Sequence, residues 1–237
     1  MVNKKPSPFR IDIITIFPGF FDGPLQESLI KKAREKNILD IRVCNLRDYT
    51  RDRHKTVDDR PYGGGPGMVM KPEPIFEAID DIEKSDGRPF VILLDPKGKP
   101  LTQKLALDLS KKNHLALIAG HYEGVDHRVQ EGLVDLPVCV GDFITMGGEA
   151  PALCLIEAVT RLIPGVIGNE DSLKDESFET DELEYPQYTR PREYRGMKVP
   201  EILVSGNHKE VEKWRKEYAS RLTREKRPDL KSRKKTQ

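Results

Sequence analysis

Two stretches of this 237-residue chain gather the residue types that do chemistry. The first, Arg47 to Met70, reads RDYTRDRHKTVDDRPYGGGPGMVM and interleaves five Lys/Arg, four Asp and His54 with two tyrosines. It has no convincing hydrophobic period. Loops of this length inside a compact domain are usually functional or disordered. We read it as a lid that closes on a substrate, its glycines permitting close approach. The run Gly63 to Gly67 is not a phosphate loop, because no Lys-Ser/Thr follows it, and it does not match GxGxxG after a strand. The second stretch, Gly141 to Pro164, reads GDFITMGGEAPALCLIEAVTRLIP. Gly141, Gly147 and Gly148 mark a loop that feeds a helix, with Pro151 in the first turn, where its missing N–H is not needed. A glycine loop of this kind suits a ligand that approaches the backbone closely, and equally a plain turn before a core helix. No zinc spacing, Ser-His-Asp arrangement or nucleotide-binding signature stands out, so no metal is expected.

The elements around these stretches alternate. Arg10–Ile16, Ile38–Leu46, Phe90–Leu94, Leu115–Ala119 and Val134–Val140 have the β-branched or alternating character of strands. Leu25–Glu35 carries Leu25, Leu29 and Ala33 on one helical face, and Glu73–Glu83 carries Ile75, Ile79 and Ile82. Leu101–Leu109 and Asp126–Gly132 complete the helices before Gly141. In the focal helix Leu155, Val159 and Leu162 repeat at helical spacing, with Leu153, Ile156 and Ile163 beside them. That helix is apolar almost all round and is expected to be buried. Arg161 sits at its C-terminal end, where a cation meets the negative pole of the helix dipole. Strand–helix alternation predicts an α/β fold with a parallel sheet, and such sheets bind ligands beyond the C-terminal ends of their strands. Three loops converge there: Asp95–Pro100, Gly120–Gly124 and Gly141–Gly148.

Composition sets the organisation. Hydrophobic residues make up 37% and charged residues 33%, which describes a globular chain with a heavily charged surface and excludes a disordered one. No apolar run approaches the roughly 20 residues that span a membrane. The N-terminus lacks the apolar core of a signal peptide. Cys44, Cys139 and Cys154 form neither metal-ligand spacing nor an even disulfide set, which points to a reducing cytoplasm. Gly168–Tyr185 holds eight Asp/Glu against one Lys and reads as a linker between residues 1–168 and a smaller unit, 186–237. In that unit Asn207 and Glu210 suggest a capping box, and Val211, Trp214, Tyr218 and Leu222 form a helical stripe. At this spacing a core or docking role for Trp214 outweighs RNA stacking. The net charge of +1 conceals a +7 tail from Lys209 onward on a −6 body. A basic tail of this kind suits nucleic-acid contact, and also a merely solvated end.

Six motifs, in order, then carry a resemblance. DRHKTVDDRPYGGGPGM (Asp52–Met68), HYEGVDHRV (His121–Val129), GDFITMGGEAPA (Gly141–Ala152), RLIPGV (Arg161–Val166), YPQYTRP (Tyr185–Pro191) and SGNH (Ser205–His208) resemble the bacterial tRNA (guanine-N1)-methyltransferases. The resemblance covers nearly the whole chain. It implies an α/β parallel-sheet domain tied in a trefoil knot, residues 1–168, that binds S-adenosylmethionine. It further implies an acidic flexible linker, 169–185, and a small, mainly α-helical, tRNA-binding domain, 186–237. By resemblance, Leu94, Asp95, Pro96, Gly120, Val140, Gly141, Asp142, Phe143, Ile144, Thr145, Gly147 and Gly148 surround the cofactor. Transfer of a methyl group to N1 of guanine 37, beside the anticodon, needs a carboxylate base and a cation at O6. The family's arginine falls on Arg161. Its base is an Asp in Asp-Ser-Phe, which here reads Glu176-Ser177-Phe178, so Glu176 and the neighbouring Asp175 are alternative bases. Arg51, Arg53, His54, Asp58 and Arg60 would meet the anticodon stem-loop or shape the guanine pocket, or merely pair among themselves to order the loop. The family pattern also implies a homodimer with the site at the subunit interface.

Overall fold

Alternate residues of the first strand divide the molecule into two layers, because successive side chains of a strand point to opposite faces. In β1 (Phe9–Thr15), Phe9, Ile11 and Ile13 join one buried cluster and Ile14 joins the other. The computed structural model describes residues 7–168, 176–178 and 181–232. Its elements continue with α1 (Ser28–Glu35), β2 (Leu39–Asn45), the two-residue strands β3 (Asp58–Asp59) and β4 (Val69–Met70), and α2 (Pro72–Asp86). Then follow β5 (Phe90–Pro100), α3 (Gln103–Ser110), β6 (His114–Ala119), α4 (His127–Gly132), β7 (Leu136–Cys139) and α5 (Glu149–Thr160). The main sheet is parallel throughout, in the order β2-β1-β6-β5-β7. Residues of α1, α3 and α5 fill the cluster with Ile11, Ile92 and Leu117, while α2 and α4 cover the face of Ile14, Leu93 and Ile118. Helices on both faces are what a parallel sheet requires, and they explain strands such as LALIA that are apolar without alternation.

Three expectations need correction. The helix expected from Leu25 is interrupted. Pro24–Gln26 is a 3₁₀ turn, and Ser28, at φ +52°, restarts the chain. The buried face therefore shifts, so that Ile30 packs inward and Leu29 is 41% exposed. The stretch Asp95–Pro100 is not a plain loop. After a bulge, Lys99 and Pro100 pair with Val138 and Cys139, prolonging β5 along β7. Gly98 permits this, because a Cβ there would lie 2.5 Å from the backbone of Pro137 and Val138. Finally, α5 is not apolar all round: Leu155, Ile156 and Val159 are fully buried, but Ala150, Cys154 and Glu157 form an exposed stripe. Thr102 and Asp126 accept backbone N–H groups at the starts of α3 and α4.

The chain divides into two compact units, Met1–Gly168 and Asn169–Gln237. The second contains a hairpin of β8 (Glu193–Tyr194) and β9 (Met197–Lys198), then α6 (His208–Lys226) and α7 (Asp229–Ser232). Arg195 and Gly196 both adopt positive φ at the hairpin tip, the requirement of a two-residue turn matched to strand twist. Asn207 caps α6 by accepting from the Glu210 N–H. The box is half formed, because the Asn207 N–H goes to Ser205 Oγ. Trp214 packs on Tyr218, ring centroids 5.1 Å apart, in keeping with a packing role. Thr223, fully buried, accepts from the Leu183 N–H at 2.8 Å and so ties the segment before the hairpin to α6. Asp175 lies outside the described residues.

Candidate active site

The C-terminal ends of β5, β6 and β7 open on a cavity of about 280 Å³, near the lower end of the range for small-molecule sites, roughly 300–1,000 Å³. Leu94, Asp95 and Pro96 line it from the bulge of β5, and Gly120 from the end of β6. Val140, Gly141, Phe143, Ile144, Thr145, Gly147 and Gly148 line it from the loop after β7. Asp142 does not line the cavity. The remaining wall includes His121, Tyr122, Glu123 and Met146. All four lie in the loops the sequence singles out, Gly120–Gly124 and Gly141–Gly148, although none of the four side chains is given a role of its own there.

Five glycines, Gly120, Gly124, Gly141, Gly147 and Gly148, bring backbone into this wall. The Gly148 N–H donates to the Gly120 carbonyl at 2.7 Å, and Gly147 makes a bridge with His121. A Cβ at Gly148 would lie 2.7 Å from Ala119 Cα and 2.8 Å from Gly120 N. The two segments are thus packed backbone on backbone, which only glycine allows. At the rim Phe143 is 60%, Ile144 81% and Met146 94% exposed. Large apolar side chains gathered beside a cavity mark a surface with a use.

The long charged stretch stands at the same rim. β3 pairs antiparallel with β4, and Val57 at its foot is fully buried. The Met70 N–H donates to the Gly124 carbonyl and the Glu123 N–H to the Met68 carbonyl, both near 3 Å. The foot of the stretch is therefore stitched to the 120–126 loop that lines the cavity. Its tip is exposed, with Gly63, Gly64, Gly65 and Gly67 all at positive φ. Arg51, Arg53, His54 and Arg60 are exposed, whereas Asp58 is half-buried in β3. Arg51 pairs with Glu77 of α2, outside the stretch, at 2.9 Å, and Lys55 pairs with Asp48 within it at 3.2 Å.

Arg161 caps the far end of α5. Ten residues of helix separate it from cavity-lining Pro151, about 15 Å at 1.5 Å per residue. The cavity and Arg161 of one chain therefore lie at opposite ends of the same helix. Glu176 belongs to the second unit, where it lines a hollow with Glu182, Glu184, Tyr185, Arg215 and Lys216. An adjoining hollow of about 430 Å³ collects Tyr185, Tyr188, Arg190, Arg192 and Arg215. The Arg215 guanidinium sits 4.7 Å from the Tyr185 ring centroid and belongs to both hollows. Cations over aromatic rings, converging on a concave surface, suit a nucleotide. Among the described residues no group of three or more His, Cys, Asp or Glu is placed to hold a metal, and no helix is long and apolar enough to cross a membrane.

A parallel sheet with a glycine-lined cavity at the ends of its central strands, in one chain with a unit whose hollow gathers Arg190, Arg192 and Arg215, is the architecture of an α/β protein with a candidate small-ligand site. The family described as tRNA (Guanine-1)-methyltransferase TrmD matches residues 9–233, and the chain belongs to that family. A tRNA (guanine-N(1)-)-methyltransferase of Dictyoglomus turgidum is 56% identical over 93% of this chain and 89% of its own. One of Geobacillus kaustophilus is 52% identical over 93% and 91%. The crystal structure of tRNA (m1G37) methyltransferase from Aquifex aeolicus aligns with a TM-score of 0.78 at 44% identity, covering 95% of this chain and 96% of that one.

Proposed function

We propose that this chain transfers a methyl group from S-adenosylmethionine to N1 of guanine 37 of tRNA. The observation that carries the proposal is that family membership over residues 9–233 coincides with a cavity walled by glycine backbone. The residues there fit the cofactor. Gly120, Gly141, Gly147 and Gly148 offer backbone groups at close approach, as adenine and ribose require, while Leu94, Pro96, Val140 and Ile144 supply apolar surface. Nothing there resembles a phosphate cradle, and this cofactor needs none. When bound, it supplies a methyl group activated by a cationic sulfur. Asp142 stands between the lining residues Gly141 and Phe143 and stays in the proposal as part of the cofactor loop.

The chain's own residues then have three tasks. A carboxylate, Glu176 or Asp175, takes the N1 proton of guanine, so that the electron pair of the N–H bond becomes available for the new N–CH₃ bond. Arg161 stabilises the negative charge that develops on O6. The charged stretch at the rim, with Arg51, Arg53, His54, Asp58 and Arg60, holds the anticodon stem-loop. Arg161 stands about 15 Å along α5 from its own cavity. The reading therefore includes a homodimer in which Arg161 of one chain serves the cavity of the other. The exposed Phe143, Ile144 and Met146 supply apolar surface for that pairing. We assign the trefoil knot to the crossing of Gly147–Gly148 over the end of β6, the linker to residues 169–185 and tRNA binding to 186–237. The hollow bearing Arg190, Arg192 and Arg215 supports the last assignment. A cytoplasmic location follows from the substrate.

The experiment is methyl transfer from labelled S-adenosylmethionine to two tRNA transcripts that differ only in G or A at position 37. Wild type should label the G transcript alone. Loss of transfer in Glu176→Gln but not in Asp175→Asn makes Glu176 the base, and the converse moves the base by one residue. Cofactor binding with no transfer to either transcript would overturn the substrate assignment.

A further inference from the structure

A buried carboxylate behind the cavity wall has no part in the chemistry above. Glu149, the first residue of α5, is 4% exposed, and Thr15, the last residue of β1, is fully buried. Thr15 Oγ1 accepts the Phe17 N–H at 2.9 Å, which directs its own proton to Glu149 Oε1 at 2.8 Å. The other carboxylate oxygen, Oε2, lies 3.5 Å from His121 Nδ1. That nitrogen is buried and has no hydrogen-bond partner among the described residues, so the Glu149 carboxylate at 3.5 Å is a charged neighbour and not a formed hydrogen bond. The His121 ring is held edgewise between Phe17 and Tyr122, centroids 4.9 and 5.1 Å away. Gly147 makes the approach possible, since a Cβ there would lie 2.2 Å from His121 Nδ1 and 2.4 Å from Glu149 Oε2.

The tautomer of His121 follows from this arrangement. A lone pair on Nδ1 would face the carboxylate in a low-dielectric setting and be repelled. A proton on Nδ1 is attracted, and strongly so where water is excluded. The first turn of a helix is also a favourable place for the negative charge of Glu149. The imidazole side chain is 20% exposed and His121 lines the cavity; Nδ1 is buried without a partner, whereas Nε2 is not among such atoms and is the nitrogen left for a ligand.

We infer that Glu149, anchored by Thr15, is a positioning residue that fixes His121 as the Nδ1–H tautomer, so that Nε2 meets a hydroxyl or N–H donor of bound S-adenosylmethionine as an acceptor. The ligand named rests on the cofactor reading above; the tautomer does not. A carboxylate that orients a histidine in this way stands one step back from the ligand and typically controls affinity through the ring it holds.

Two measurements test it separately. Selective ¹⁵N-histidine labelling of the full chain, at a pH of about 8.5 where imidazoles are ordinarily neutral, reads the tautomer of His121 without any ligand, the resonances being assigned with His121→Asn. The Nδ1–H pattern is expected in wild type, persisting in Glu149→Gln, whose amide oxygen still accepts, and lost in Glu149→Ala. An Nε2–H pattern in wild type overturns the inference, as does a pattern unchanged by Glu149→Ala. Calorimetric titration with S-adenosylmethionine then measures affinity. His121→Ala and Glu149→Ala should each weaken binding about tenfold, and the double variant no further. Thr15→Val should weaken it less, and Thr15→Ser should restore it. Additive losses in the double variant overturn the ligand contact. If Glu149→Ala does not fold, Thr15→Val against Thr15→Ser decides the same point. Wild type that binds no S-adenosylmethionine defeats the cofactor reading, while the spectrum still judges the tautomer.

Discussion

Gly148 shows how a single missing side chain can make a site. Its Cβ position is occupied by the backbone of Ala119 and Gly120, which cannot swing aside as a flexible side chain can. Gly148→Ala must push the post-β7 loop off the end of β6. We expect a cost of about 1–3 kcal/mol, equivalent to about 5- to 150-fold in affinity where the bound state bears it. Titration with S-adenosylmethionine and a thermal melt check both halves; unchanged affinity would mean the loop is not part of the ligand site. Gly67 is a contrasting case. Its φ of +82° already disfavours a side chain, but the atoms that a Cβ would meet belong to the flexible Glu123 side chain, so strain rather than collision would dominate there. Glycines announce themselves in a sequence. Which of them is squeezed by backbone is a matter of what crosses above it.

At the scale of elements, β1, β2 and α2 are joined by a charge network at the edge of the sheet. Asp86, the last residue of α2, accepts from Arg42 at 2.6 Å and pairs with Arg10, and Asp40 lies 3.3–3.4 Å from both arginines. The hydrogen bond from Arg42, with help from Ser85, holds the Asp86 carboxyl at about 2, below the usual Asp value of about 3.9. A depressed carboxyl stabilises the fold above the unfolded-state value, and that contribution is lost as pH falls toward the folded one. The stability difference between wild type and Asp86→Asn should therefore hold steady from neutral pH down to about 5 and shrink below about 4. Urea unfolding across this range measures it, and a difference that does not change with pH would remove Asp86 from the network. The sequence placed α2 and both strands correctly within a few residues. It could not pair Arg10 with Asp86, because 76 positions separate them and only the sheet order brings them together.

For the molecule as a whole, the decisive geometry is the length of α5. One end walls the cavity and the other carries Arg161, about 15 Å away. If two copies share each site, chains defective at opposite ends of α5 should repair one another. Arg161→Ala, and Gly148→Ala assayed at S-adenosylmethionine well below its weakened Kd, should each be largely inactive in methyl transfer and should regain about a quarter of wild-type activity when refolded together in equal amounts, since half the dimers are mixed and each mixed dimer holds one intact site. No recovery, with mixed dimers demonstrated by differential tagging, would place a complete site within each chain.

Much of this protein was written locally. Hydrophobic period set the five main strands and their helices, side-chain caps set where α3 and α4 begin, and long motifs set the family, because each depends on residues a few positions apart. The glycine loops and the charged stretch were legible as unusual composition. What tertiary structure decided was adjacency. It prolonged β5 past its bulge because β7 offered partners for Lys99 and Pro100. It turned the exposed stripe of α5 outward and buried Glu149, which the sequence had shown only as a polar residue opening an apolar helix. The hydroxyl that satisfies Glu149 belongs to Thr15, 134 residues away, and a buried carboxylate is tolerable only beside such a partner. No local pattern encodes that pairing; it exists because β1 and β6 are neighbours in the sheet and α5 begins where they end.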